Sequence, residues 1–176
     1  MNKEMLFWLV VTLSASAALG YLLGQSDGEP LSNTATERHA VADLCVGRHG
    51  TTDDPLVAHY HADISISVNG EFVEIPASVG LNDGDCPMRS LHTHDDTGHI
   101  HLEFREENVE APLEAFFDIW GKHMDATGFD DYRVDDNHEF VMFVTEKGGQ
   151  RSQVYDFESL IFKDGQKIEL VYREKA

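Results

Sequence analysis

Ile64, Ile66 and Val68 alternate with Asp63, Ser65 and Ser67 until Asn69-Gly70 interrupts them, and the apolar spacing resumes at Val73 and Ile75. Alternation of this kind sends successive side chains to opposite faces of a strand, and Asn-Gly is a strong signal for a two-residue hairpin turn. Closing the hairpin there sets Ile66 opposite Val73 and Ile64 opposite Ile75, so that one face is apolar. Extending the first strand backwards puts His59 and His61 on the other face, with Asp63.

The stretch LHTHDDTGHIHLEF, residues 91–104, repeats the pattern with imidazoles in the polar places. With Asp95 to Gly98 as the loop, His94 faces His99 and His92 faces His101. Directly paired residues share a face, as do residues two apart, so all four histidines point one way with Glu103 beyond them. Leu91, Thr93, Ile100, Leu102 and Phe104 point the other way. A longer or bulged loop moves His99 off that face, which makes it the least secure of the four.

Further along, Leu113, Phe116, Phe117 and Trp120 recur at helical spacing between Pro112 and Gly121, which predicts a short helix facing the core. HEFVMFVTEKGG then reads as a strand apolar on both faces, and QVYDFESLIFKDGQKIELVYRE as one or two more strands around an Asp164-Gly165 turn. The predicted fold class is therefore α+β, a mixed or antiparallel sheet of two hairpins plus C-terminal strands with one helix packed on a face. The order of elements resembles the β-grasp arrangement.

Composition adds a partner class. Asp and Glu number 32 against 13 Lys and Arg, a net charge of -19 that opposes binding to nucleic acid or to anionic lipid head groups and favours a cation. The same charge is also what a generally solvated acidic surface carries. At the N-terminus, Lys3 precedes an uncharged run from Leu6 to Leu23, followed by Asp27 and Glu29. Residues 1–24 thus read as a signal anchor or transmembrane segment, 25–55 as an acidic tether, and 56–176 as one extracytoplasmic domain. Ala15-Ser16-Ala17 and Ala18-Leu19-Gly20 leave open cleavage and release of the domain. Cys45 and Cys86 are the two cysteines, and in an oxidising compartment an isolated pair favours a disulfide. The alternative makes Cys86, six residues before His92, a soft metal ligand.

Neutral imidazole ligates zinc, copper, nickel and iron, and His-x-His on a strand sends two rings to one side. Three such pairs occur. The expected ligands are His92, His94 and His101, with His59 and His61 from the neighbouring hairpin and His99 as the weakest member. Asp95, Asp96 and Glu103 are expected to orient them. His39, His123 and His138 look peripheral, and Met88, Met124 and Met142 read as core filling. HTHDD matches the start of the His-x-His-x-Asp motif of metallo-β-lactamase-like hydrolases, but Thr97 stands where the next histidine belongs and the segment runs on into a strand. The expected function is binding of a copper or zinc ion, for storage, buffering or delivery outside the cytoplasm. Two alternatives stand beside it: a tris-histidine metalloenzyme with a carboxylate base, and a structural or partner-binding domain.

Taken together, the histidine pair ahead of ISVNGEFVEIPASVG, the following cysteine, LHTHDDTGHIHLE and the FFDIWG helix resemble a family of small, exported, mostly uncharacterised bacterial and archaeal proteins. The resemblance spans about residues 45–172. It carries over His59, His61, Cys86, His92, His94, Asp95, Gly98, His101 and Glu103, whereas His99 falls where the family is mostly apolar. It implies the architecture and the shared histidines, and supplies no reaction.

Overall fold

The computed structural model describes residues 38–47 and 55–175. The predicted anchor and most of the predicted tether lie outside these residues. Among the described residues no helix is long and apolar enough to cross a membrane.

The first hairpin forms as the alternation predicts. Strand β1 (Ala58–Val68) turns at Asn69 and Gly70, both with positive φ, into β2 (Glu71–Val73), and Ile66 stands opposite Val73. Positive φ at both central residues is the geometry that matches the twist of the two strands. The expected pairing of Ile64 with Ile75 does not form. β2 stops at Val73, and the Ile64 N–H donates instead to the Gly98 carbonyl at 2.8 Å. Ile75 is buried all the same.

A short hairpin, β3 (Leu81–Asp83) and β4 (Cys86–Met88), leads into β5 (Leu91–Thr93) and β6 (His99–Phe104). The connecting loop is residues 94–98, one longer than expected because His94 leaves the ladder. The register is nevertheless the predicted one, with His92 opposite His101, and no bulge displaces His99. Helix α1 (Leu113–Trp120) follows, flanked by Pro112 and by Gly121 in the left-handed conformation. Leu113, Phe116 and Phe117 are buried, and Trp120 is half-buried beside Phe129.

A small meander, β7 (Met124–Asp125), β8 (Gly128–Phe129) and β9 (Tyr132–Arg133), precedes the long strands β10 (His138–Thr145), β11 (Arg151–Val154) and β12 (Gln166–Glu174). The main sheet runs β11-β10-β12-β1-β6-β5, and β2 joins the far end of β1. β1 and β12 are parallel, and the other neighbours are antiparallel. This is a mixed α+β sheet in which β2-β1-β12-β10-β11 has β-grasp-like connectivity. The β5–β6 hairpin is added along the first half of β1.

That addition places the site. Even-numbered positions of β1 and β6 (Ala62, Ile64, Ile66, Ile100, Leu102) join Ile168 and Leu170 in a core that includes the helix residues Leu113, Phe116 and Phe117, each at most 2% exposed. Each fully buried Ile, Leu or Phe side chain of this kind contributes about 1.5–3 kcal/mol. The register is therefore locked, and the odd-numbered residues are held on the opposite face. Met88, Met124 and Met142 are buried, as core filling requires.

Residues 38–47, which composition assigns to the tether, belong to the compact unit. A 3-10 turn at Ala40–Asp43 packs beside α1, and Val41, Ala42 and Val46 are buried. Cys45 is disulfide-bonded to Cys86, which removes Cys86 from the possible metal ligands.

Candidate metal centre

Because β6 lies between β5 and β1, His101 has a histidine directly across from it on each side, His92 in β5 and His61 in β1. The same register sets His59 opposite Glu103 and Asp63 opposite His99. Six imidazoles gather as a result. The His101 ring centroid lies within 5.8 Å of those of His59, His61, His92, His94 and His99. His92 is fully buried at the floor of the cluster, and His59 and His94 are exposed at its rim.

Among the described residues, two sets of ring nitrogens come close enough to hold an ion: His59, His61 and His101, and His92, His94 and His101, with the atoms of each set within 4.8 Å of one another. In the first, His61 Nε2 and His101 Nδ1 are 3.2 Å apart; in the second, His92 Nε2 and His94 Nε2 are 3.2 Å apart. Nitrogens at two corners of a tetrahedron with zinc–nitrogen bonds of 2.0–2.1 Å stand about 3.3 Å apart. Both pairs therefore already have the spacing of ligands on one ion.

The surroundings fix how several rings are turned. His92 Nδ1 lies 3.0 Å from the Arg89 carbonyl, which can only accept, so Nδ1 carries the proton and Nε2 keeps its lone pair for a metal. Arg89 is itself held by Asp83 through its guanidinium and by Gly80 through its N–H. His99 Nδ1 is 2.7 Å from Asp63 Oδ1, and the ring stacks on His61. Glu103 is buried with Oε1 3.4 Å from His59 Nε2, in reach to draw the proton to that nitrogen.

Electrostatics keep the central rings neutral. Burial, and then the neighbouring His61, His94, His99 and His59, push His101 down from 6.5 to about 4. Burial, followed by His59 and His99, also lowers His61. A neutral ring is the form that ligates a metal.

Of the expected ligands, His59, His61, His92, His94 and His101 fall into the two sets. His99 shares their face and touches His61 and His101, but belongs to neither set. Among the expected orienting carboxylates, Glu103 meets His59. Asp95 Oδ1 accepts from the Thr97 N–H and hydroxyl, which closes the loop and lowers its pKa. Asp96 is exposed in the same loop. Asp63 and the Arg89 carbonyl are the orienting groups that sequence reasoning missed. Parity had already placed Asp63 on the histidine face, so its pairing with His99 had a readable signal; the carbonyl had none.

The remaining described histidines are engaged elsewhere: His39 caps the turn at Ala40–Asp43, His123 pairs with Asp125, and His138 pairs with Asp135 and stacks on Tyr172. An open groove of about 530 Å³, lined in part by Asp63, Asp95, His99, Lys167 and Glu169, runs beside the cluster. No family model, curated protein or solved structure matches the chain.

Proposed function

We propose that this protein binds a transition-metal ion, copper or zinc, on the histidine face of its sheet, and that it stores, buffers or delivers that ion outside the cytoplasm. The observation that carries this reading is that His101 is shared by two sets of three rings, in which the His61–His101 and the His92–His94 nitrogens are each 3.2 Å apart. Imidazole alone suits either metal, and the absence of thiolate from both sets gives no preference for Cu(I). The acidic balance of the chain draws cations to the surface, and the open groove beside His99 carries three carboxylates, Asp63, Asp95 and Glu169, against one lysine, Lys167.

Holding an ion is favoured over using it. A hydrolytic site needs a carboxylate that can reach a metal-bound water, whereas Glu103 is buried against His59, the environment of a group that orients a ligand. The export reading rests on the N-terminal sequence, with the Cys45–Cys86 disulfide in support, since such bonds persist in oxidising compartments. An N-terminal segment retained as an anchor would keep the domain at the membrane, and a cleaved one would release it. The test is elemental analysis of protein isolated from the cells that make it. Copper or zinc near or above one equivalent supports the reading, and a metal-free protein from that source speaks for a structural role.

A further inference from the structure

His101 is the one residue common to both sets of candidate ligands. This follows from topology: its strand is flanked by β5 and β1, so it alone has a histidine opposite it on both sides. The five rings form two sets of three, so a single ion held by one set would leave two of them unused. An imidazole has two nitrogens, and His101 Nδ1 already faces His61 Nε2. Nε2 is the atom left for the His92–His94 pair.

Resting on the metal-binding reading, we infer that the face holds two ions, and that His101 bridges them as an imidazolate. Nδ1 would serve the ion held by His59 and His61, and Nε2 the ion held by His92 and His94. The step balances simply. The first ion takes a lone pair of neutral His101; when the second binds, the remaining ring N–H loses its proton to solvent and the freed pair forms the second bond. No electron is transferred. Two metal–nitrogen bonds of 2.0–2.1 Å on opposite nitrogens of one ring put the ions about 6 Å apart. Two dications at that spacing repel, and the bridging negative charge together with Glu103 and Asp63, both on this face, opposes the repulsion.

The experiment is a titration of the metal-free full chain with Cu(II) at pH 7.5, with bound copper counted by elemental analysis and the electron paramagnetic resonance signal integrated on the same samples. The inference predicts two copper ions per chain with an integrated signal well below two spins, because an imidazolate couples neighbouring Cu(II) centres antiferromagnetically. His94→Ala, on the exposed rim, should bind one copper with its full one-spin signal. A single ion in the wild type overturns the bridge and leaves the metal-binding reading standing. Two ions with two full spins, or a coupled pair that survives His94→Ala, also overturn it. No bound copper at all overturns the bridge, and no bound zinc in a parallel titration overturns the metal-binding reading as well.

Discussion

His101 Nδ1 and His61 Nε2 face each other at 3.2 Å across β6 and β1, from residues directly opposed in the sheet. The contact needs no loop to arrange it; a register locked by Ile100, Leu102, Ala62 and Ile64 on the reverse face holds both rings where they are. Rigid placement of this kind lowers the cost of gathering ligands around an ion.

Ligand substitutions should follow the two sets. His101→Ala removes a nitrogen from both, and should weaken metal binding by more than about 100-fold, beyond what loss of an orienting partner costs. His99→Ala belongs to neither set and should change affinity by only a few-fold. Competition titrations against a chelating dye check the order; a larger loss for His99→Ala would contradict the ligand assignment.

Orienting groups should matter less than ligands and should not govern turnover. Glu103→Gln is expected to cost about 10- to 100-fold in affinity, because the neutral amide holds the His59 proton less firmly. Abolition of a measurable hydrolytic activity with metal still bound would favour the enzyme reading.

The metal-free protein should lose stability as pH falls from about 6.5 towards 4. In the unfolded chain a histidine titrates near 6.5, while folded His101 resists protonation until about 4. Between these values the unfolded state binds more protons, so stability rises with pH and is lost on acidification. Asp95, Asp125, Asp135 and Asp164 have lowered pKa values, and their contribution disappears only below the ordinary carboxylate value of 3.8. Glu114, raised above 4.5 by burial, contributes with the opposite sign in this window, so denaturation midpoints at pH 7.5 and 5.0 are compared between the wild type and a ring variant. His101→Gln should flatten the slope; an unchanged slope would show that the ring is not the source.

Much of this face was legible before the fold was known. Alternation at Ile64, Ile66 and Val68 with the Asn69-Gly70 turn specified one hairpin, and the alternating histidines specified the His92–His101 pairing of the other. Parity then placed His59 and His61 on the non-core face of the first hairpin and His99 and Glu103 on that of the second. What sequence pattern does not carry is long-range register: that β6 lies along the first half of β1, that β12 runs parallel on the other edge, and that residues 38–47 pack into the domain. Tertiary packing decides those pairings. The Arg89 carbonyl was invisible for a related reason, since its position is set by the fold of the β3–β4 segment. An aspartate next to a histidine pair looks like a metal-site carboxylate, and the pattern hides that, two residues before Thr97, Asp95 also closes its own loop.

Gly98 is where loop and site depend on one another. Its φ is +79°, and a Cβ there would stand 2.1 Å from the Ile64 carbonyl oxygen, which belongs to the strand backbone and cannot move aside cheaply. Gly98→Ala should destabilise the domain by about 2 kcal/mol or more and impair metal binding with it. Urea denaturation alongside a metal titration tests this, and an unperturbed variant would contradict the loop geometry.

The disulfide should brace the floor of the site from outside. Cys45–Cys86 spans 41 residues, and removing it should cost about 2–4 kcal/mol, while native protein should present no reactive thiol among its two cysteines. Thiol titration of the unfolded, unreduced chain and denaturation of Cys45→Ser/Cys86→Ser check both statements.

The most direct measurement is zinc and copper binding to demetallated protein at pH 7.5, wild type beside His101→Ala, with circular dichroism on both to verify folding. At least one equivalent should bind tightly to the wild type, with a loss of more than about 100-fold in the folded variant. A wild type that binds neither metal above background, or a His101→Ala protein that binds as tightly as the wild type, would contradict that expectation.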